Sequence, residues 1–360
     1  MPVVDRSKIR PDILKYIDDR QDIRLACAVE FLNLDEAKGF NLQASLAKLE
    51  EYNLKYYQML ASKEGSIEDF YGVLTEREIE MLTKFYRFSV NYSAKIEREQ
   101  HPLPPDIKIE EVDIDGVPAE WQIIPGSNEE RVLLYLHGGG FILNSPKNYR
   151  TFTVDLARQS NMKVLSLDYP LAPEHPFPAA LEAIVNSYRW LLSEGFEPKN
   201  VVIAGDSAGA NLTLVTLLKL RDDGFPLPLG AVVISPPTIY TNDNTTMHKN
   251  APTDPILGDI GVFWWNTEYL AGADVRNPSI SPLLADLRGL PPILIQVSTS
   301  EMLYDNSTRF AKRAQEAGVD VILQSWDDTL HVFQFFGIYD FPEAREALDK
   351  IGEYIQKLFS

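Results

Sequence analysis

Gly205-Asp206-Ser207-Ala208-Gly209 follows directly on the apolar run Val201–Ala204 and opens a helix-forming stretch from Ala208 to Leu220. A serine hydroxyl is a weak nucleophile at neutral pH, so to attack a carbonyl it must stand exposed beside a base. A strand, a sharp turn and a helix give that exposure, because glycines two places either side of the serine let neighbouring backbone close on the turn. Composition alone yields Gly-x-Ser-x-Gly about 0.07 times in a chain like this. A tight strand-to-helix turn capped by an ordinary serine has the same signature, and other residues must decide between the two readings.

The run His137-Gly138-Gly139-Gly140 follows a second apolar stretch, Val132–Leu136. Chance produces it about 0.001 times at this chain's histidine and glycine usage. Three glycines let backbone N–H groups approach a ligand unobstructed, which suits the negative oxygen of a tetrahedral intermediate. The N–H of Ala208 would join them from the serine turn. A phosphate-binding loop is the competing reading, but no Lys-Ser/Thr follows and no Gly-x-Gly-x-x-Gly spacing opens a helix. His137 is expected to brace the loop rather than act as a base.

Five histidines compete for the role of base. His101 lies in a proline-rich stretch, His137 in the glycine loop, His175 between Glu174 and Pro176, and His248 in a long insertion. His331 remains, in a loop after the last expected strand that can return it to the carboxyl edge of a sheet. Beside Val332 and Phe333 it could also be a satisfied core residue. The orienting acid should follow the penultimate strand, where Glu301 and Asp305 both stand. Asp305 opens a helix and has a ready explanation as its cap or first-turn acid, so Glu301 is preferred. Asp327 and Asp328 lie too close to His331 in sequence to orient it easily.

These residues need a sheet to hold them. From residue 105 onward, short runs rich in β-branched residues alternate with stretches of helical length, the rhythm of a mostly parallel sheet flanked by helices. Strands are expected at Val132–Leu136, Lys163–Asp168, Val201–Ala204, Ala231–Ser235, Ile293–Val297 and Val319–Ser325. Helices are expected at Val154–Ser160, Ala179–Ser193, Ala208–Leu220, Asp305–Ala317 and Glu343–Leu358. Residues 1–104 have helical periodicity and end in His101-Pro102-Leu103-Pro104-Pro105, which sets a boundary between a helical amino-terminal region and a catalytic domain at 105–360. The rhythm breaks at about 237–290, too long a gap for a plain loop, so an inserted lid is expected there. Its Phe263, Trp264, Trp265 and Tyr269 could line a substrate pocket or simply pack the lid.

The whole chain limits the partners. With 52 acidic against 34 basic side chains and a net charge of -18, it repels phosphate backbones and anionic lipid, so nucleic acid is excluded and a neutral small molecule fits. The single cysteine, Cys27, precludes an intrachain disulfide and reads as a buried small hydrophobe. No signal-peptide core or membrane span is visible, which makes the cytoplasm the expected location. Residues 1–100 could form lid, homodimer contact or both.

Taken together, His137-Gly138-Gly139-Gly140, Asp168-Tyr169-Pro170-Leu171-Ala172-Pro173-Glu174-His175-Pro176-Phe177-Pro178, Gly205–Gly209 and Leu330-His331-Val332-Phe333 resemble the hormone-sensitive-lipase-like esterases, bacterial family IV. The resemblance covers residues 105–360 and implies an α/β-hydrolase fold with a helical cap. It implies a serine carboxylesterase without metal or organic cofactor, using Ser207, Glu301 and His331. Oxyanion donors would come mainly from Gly139, Gly140 and Ala208, with Gly138 close by. Two departures stand out: Pro170 where the family commonly has arginine, and Glu301 where many members have aspartate. An amidase, lactonase or carbamate hydrolase on the same residues, or a ligand-binding receptor of the same fold that has lost catalysis, are the rival expectations.

Overall fold

A computed structural model describes residues 4–241, 245–258, 262–339 and 341–360, with backbone only at 262, 263, 338 and 339. Every apolar run picked from the sequence forms a strand, and a hairpin adds two more. The strands are β1 (Lys108–Ile114), β2 (Val117–Ile123), β3 (Asn128–Leu136), β4 (Met162–Leu167), β5 (Val201–Asp206), β6 (Gly230–Ile234), β7 (Ile293–Ser298) and β8 (Val321–Trp326). They form one sheet in the order β1-β2-β4-β3-β5-β6-β7-β8. β1 to β2 and β2 to β4 run antiparallel, and every later pairing is parallel.

The hairpin was missed because β1 is a charged, half-exposed edge with no apolar run. Its signal was local: Asp115-Gly116 joins Ile114 to Val117 with φ of 52° and 89°, the mirror-image turn that Asp-Gly favours.

The parallel strands are buried on both faces, which is why they read as continuous apolar runs. Helices Pro146–Ser160 and Pro342–Leu358 cover one face, packing Phe152, Leu156, Leu348 and Ile351 against Leu133, Tyr135, Val202 and Leu294. Helices Ala179–Ser193, Ala208–Asp222 and Tyr304–Glu316 cover the other, with Ile184, Leu214 and Phe310 against Leu134, Leu136, Ile203 and Val233.

The apolar cluster on that second face continues outward into two distant segments. Helices Gln21–Leu32, Leu42–Ser62 and Glu76–Gln100 contribute Phe31, Leu49, Met81 and Phe85, and the insertion contributes Trp264, Trp265 and Tyr269. Cys27 is buried in the same cluster, as expected of a small hydrophobe. The helix Glu76–Gln100 starts on a capping box in which Thr75 and Glu78 exchange hydrogen bonds. The insertion itself is partly helical, at Thr245–Lys249 and Val262–Leu270.

At the centre, the helix Ala208–Asp222 starts so close to the end of β3 that a Cβ on Gly209 would run into the Leu136 carbonyl. Neither partner can yield, since both are backbone. Gly209→Ala should therefore destabilise the protein by on the order of 3 kcal/mol. A thermal midpoint lowered by roughly 4 °C is expected for a chain of this length, read by calorimetry.

Candidate active site

Ser207 sits between β5 and the helix Ala208–Asp222 with φ 49° and ψ -119°, a backbone conformation costing about 1–3 kcal/mol for a residue with a Cβ. The turn is held by its N–H, which donates to the Ile234 carbonyl at 2.8 Å, and by its carbonyl, which accepts from Asn211 at 3.1 Å. The hydroxyl is thereby lifted off the sheet. His331 Nε2 meets it at 3.0 Å, and Nδ1 on the other edge of the ring lies 3.2 Å from Glu301 Oε1. A carboxylate can only accept, so Nδ1 carries the proton and Nε2 accepts from the Ser207 hydroxyl.

Glu301 and His331 are both almost wholly buried, at 0% and 5% exposure. Burial alone would drive the imidazole toward its neutral form. The hydrogen bond and charge of Glu301, helped by the charges of Asp254 and Asp206, overcome this and raise the His331 pKa above its ordinary value. The second Glu301 oxygen, Oε2, accepts from Ser235 Oγ at 2.8 Å and from the Ser298 N–H at 3.1 Å. Asp305 lies elsewhere: it stands in the first turn of the helix Tyr304–Glu316 and accepts from the Thr245 N–H at 3.0 Å. Asp327 and Asp328 hydrogen-bond Thr299 and Ser300.

The glycine loop behaves unevenly. The N–H of Gly138 donates to Asp206 Oδ1 at 2.9 Å and is also 3.1 Å from the Tyr149 hydroxyl. Gly138 is therefore spent on holding the loop and is corrected out of the donor set. The N–H groups of Gly139, Gly140 and Ala208 have no partner among the described residues. Gly140 has φ 61°, and a Cβ there would strike the Trp265 ring. His137 braces the loop as expected, donating from Nδ1 to the Gly138 carbonyl at 2.8 Å while stacking on Tyr169 at 4.4 Å. Full burial lowers its pKa to about 4, so it is neutral at working pH.

Next to Ser207 lies a cavity of about 60 Å³. Of the three expected pocket aromatics whose side chains are described, Trp265 lines it. Trp264 packs on Tyr86 at 5.9 Å and Tyr269 stacks on Phe141 at 3.7 Å, both as lid core. The Phe263 side chain lies outside the described residues. Sequence reasoning missed the other walls, among them Tyr56 and Leu60 from the helix Leu42–Ser62, and Tyr240, Met247 and Leu257 from the insertion. No motif announces them, because they converge only through packing.

It also missed Asp206, Ser235 and Asp254. Asp254 is a buried carboxylate that accepts from the Met302 N–H at 2.9 Å, immediately beside Glu301. Asp206 had a visible signal, as a carboxylate inside the serine turn.

A serine, a histidine and a carboxylate in relay, met in the chain order Ser, Glu, His on a strand-turn-helix, define a serine hydrolase of the α/β class. The comparisons agree. Residues 133–335 match the family described as the alpha/beta hydrolase fold. An esterase of Acinetobacter venetianus is 36% identical over 261 residues, covering 71% of this chain and 84% of the relative. An acetyl-hydrolase of Streptomyces hygroscopicus is 39% identical over 238 residues, covering 66% and 79%. The crystal structure of an esterase from the bacterial hormone-sensitive lipase family superposes with TM-score 0.72 at 36% identity, covering 87% of this chain and 99% of that one. The chain belongs to the α/β-hydrolase fold family, within the hormone-sensitive-lipase-like esterases.

Two measurements test the relay. Glu301→Gln should lower turnover by roughly two to four orders of magnitude, while Asp305→Asn stays within about threefold of the parent. The reverse ranking would move the acid to Asp305. The base works only as neutral imidazole, so activity is lost as pH falls through the raised His331 pKa. The acid limb of kcat/KM should accordingly have its midpoint above the unperturbed imidazole value of about 6.5. A midpoint below it would contradict the Glu301 contact.

Proposed function

We propose that the protein cleaves neutral carboxylic esters with a short arm through an acyl-enzyme formed on Ser207. Ester hydrolysis itself follows from family membership and fold. The observation that carries the particular mechanism is the relay Ser207 Oγ, His331 Nε2 and Nδ1, Glu301 Oε1, with separations of 3.0 and 3.2 Å, opening on a small cavity.

Ser207 Oγ attacks the ester carbonyl as His331 Nε2 takes its proton. Glu301 keeps the imidazole in the tautomer that can accept this proton and stabilises the cation that results. The carbonyl oxygen, now an anion, receives hydrogen bonds from Gly139, Gly140 and Ala208 N–H groups, which are preorganised and cost no rearrangement at the moment of reaction. His331 then returns the proton to the leaving alcohol. Water, deprotonated in turn by His331, attacks the acyl-serine, and as the intermediate collapses His331 returns that proton to Ser207 Oγ and the acid leaves.

The substrate range follows from charge and size. A net charge of -18 disfavours anionic esters, and a cavity of about 60 Å³ suits a short arm, on the order of four non-hydrogen atoms. Residues 1–104 and the insertion at about 237–290 act together as the cap that excludes water from this cavity. Among the described residues no helix is long and apolar enough to cross a membrane. With its acidic surface and lone buried cysteine, the chain suits work in the cytoplasm on a dissolved small ester.

Ser207→Ala should lower turnover of p-nitrophenyl butyrate by roughly four to six orders of magnitude while leaving the thermal midpoint within a few degrees. A fluorophosphonate probe should add one adduct to the parent, read by intact mass, and none to the variant. Near-normal turnover by the variant would overturn the assignment of the nucleophile.

A further inference from the structure

The glycine loop and its continuation hold four residues in the left-handed region: Gly139 at φ 119°, Gly140 at 61°, Phe141 at 65° and Asn144 at 78°. Two of them bear side chains, and backbone of this kind persists only where its surroundings hold it. The holding bonds fall on particular peptides. In a trans peptide the C=O and N–H point in opposite directions, so whatever grips the carbonyl aims the N–H. The Gly139 carbonyl accepts from the N–H groups of Ile142 at 3.1 Å and Leu143 at 2.9 Å. The other edge of that peptide is the N–H of Gly140, a residue that lines the cavity beside Ser207, and this N–H has no partner among the described residues. One peptide further back, the Ile142 carbonyl accepts from Arg87 Nε at 2.9 Å. Arg87 comes from outside the loop, on the helix Glu76–Gln100. Its Nη2 also donates to the Ala172 carbonyl at 2.9 Å, and its guanidinium meets both Glu174 oxygens, at 2.7 and 2.8 Å.

Arg87 Nε, the Ile142–Leu143 peptide and the Gly139–Gly140 peptide therefore stand in series, joined head to tail by two hydrogen bonds of 2.9 Å and ending on the Gly140 N–H. A fixed positive charge at the head of such a series polarises each peptide in the same sense and makes the last N–H a stronger donor. The fork of a guanidinium adds direction, because it is planar and bonded on three sides at once. We propose that Arg87 is a positioning residue for the reaction: from the cap helix, through two peptides, it aims and polarises the Gly140 N–H toward the developing oxyanion. The inference rests on the ester-hydrolase reading and adds a residue on which its oxyanion donor depends. A donor misplaced by a fraction of an ångström still binds the ester but loses its grip on the tetrahedral oxygen, so the effect belongs in turnover rather than in binding.

Arg87→Met keeps the alkyl stem and removes every donor. The Arg87 side chain is 30% exposed, so water can reach the freed carbonyls and the variant should fold, with a thermal midpoint close to the parent's. Rates are expressed per serine that reacts to completion with a fluorophosphonate probe, which discounts inactive chain. On p-nitrophenyl butyrate kcat should fall roughly tenfold, part of the loss that deleting an oxyanion donor brings, while KM stays within about threefold. 1,1,1-Trifluoropentan-2-one reads the same donors without turnover: Ser207 Oγ bonds to its carbonyl carbon, the hydroxyl proton passes to His331 and the π pair becomes the oxyanion. Its Ki should rise by the factor by which kcat/KM falls. Glu174→Gln removes the ion pair and leaves the carbonyl contacts of Arg87 in place, so kcat and Ki should stay within about threefold of the parent. Unchanged kcat in Arg87→Met would overturn the proposal. So would a fall in kcat with no rise in Ki, the mark of a merely structural residue, or an equal fall in Glu174→Gln, which assigns the effect to the ion pair. A parent that fails to hydrolyse the ester would overturn the ester-hydrolase reading and this one with it, whereas an active parent whose variants match it overturns only this one.

Discussion

The Asp206 carboxylate, with 1% of its surface exposed, accepts hydrogen bonds from the Tyr135 hydroxyl at 2.6 Å, the Tyr149 hydroxyl at 2.9 Å and the Gly138 N–H at 2.9 Å. Burial raises its pKa, and the three donors, together with the charge of His331, work against that rise. An unpaired carboxylate at this depth would be costly, so the three donors and the acid fix each other's positions. What they fix is the distance between two loops. Asp206 precedes the nucleophile on β5, and Gly138 opens the glycine loop after β3. The Ser207 hydroxyl and the N–H groups proposed to receive the oxyanion are thus set relative to one another by one buried carboxylate. Gly138 gives up its own N–H for this, which leaves Gly140 and Ala208 at the cavity wall and the Gly139 N–H without a partner among the described residues.

The other side of the site is held through the insertion. Asn250 donates to the carbonyls of Thr299 and Glu301, both at 2.9 Å, and Thr253 donates to that of Ser300 at 2.9 Å. Asp254 then receives the Met302 N–H. The segment from Asn250 to Asp254 is in effect zipped along the loop that carries the acid. The amino terminus acts in the same way on the base: Ile9, Ile13 and Ile17 pack on Leu330, Phe333 and Phe336, the residues flanking His331, and Arg10 pairs with Glu343 at 2.6 Å. Arg87, from the helix Glu76–Gln100, donates to the Ile142 carbonyl at 2.9 Å just beyond the glycine loop. Segments outside the sheet therefore brace the loops of Glu301 and His331 and the end of the glycine loop.

What was legible in the sequence was what is local. Ser207, His331 and the glycine loop stand in short contiguous motifs at strand ends, where backbone geometry dictates residue type. Glu301 was separable from Asp305 because the latter has a helix to begin. The central strands were legible because burial on both faces makes them uniformly apolar. The β1–β2 hairpin was not, since a charged edge strand has no such signature and only Asp115-Gly116 marked it. Ser235 and Asp254 were invisible for a different reason. Each is a single polar residue whose importance comes from a partner that folding brings from far along the chain. The pocket walls fall in the same class: aromatic spacing in the insertion pointed at Phe263, Trp264, Trp265 and Tyr269, and among the side chains described packing turned Trp264 and Tyr269 away to build the lid while Trp265 reached the cavity.

Glutamate at position 301 fits this arrangement better than a shorter acid would. Its carboxylate spans two jobs, Oε1 toward His331 and Oε2 toward Ser235 Oγ and the Ser298 N–H. Ser235, at the end of β6, meanwhile accepts from the Val332 N–H at 3.3 Å, next to the base. Serine, acid and histidine loop thus close a ring of contacts, in which the Ser235 hydroxyl donates to the carboxylate and accepts from the backbone beside the imidazole. With Oε2 committed to two donors, Oε1 is aimed by the ring rather than by the rotamer of a free side chain. An aspartate, one methylene shorter on the same backbone, could not keep both sets of contacts unless the loop moved inward. That loop is pinned by Asn250, Thr253 and Asp254. The choice of acid in the relay and the seating of the insertion on the acid loop are, for this chain, one structural solution.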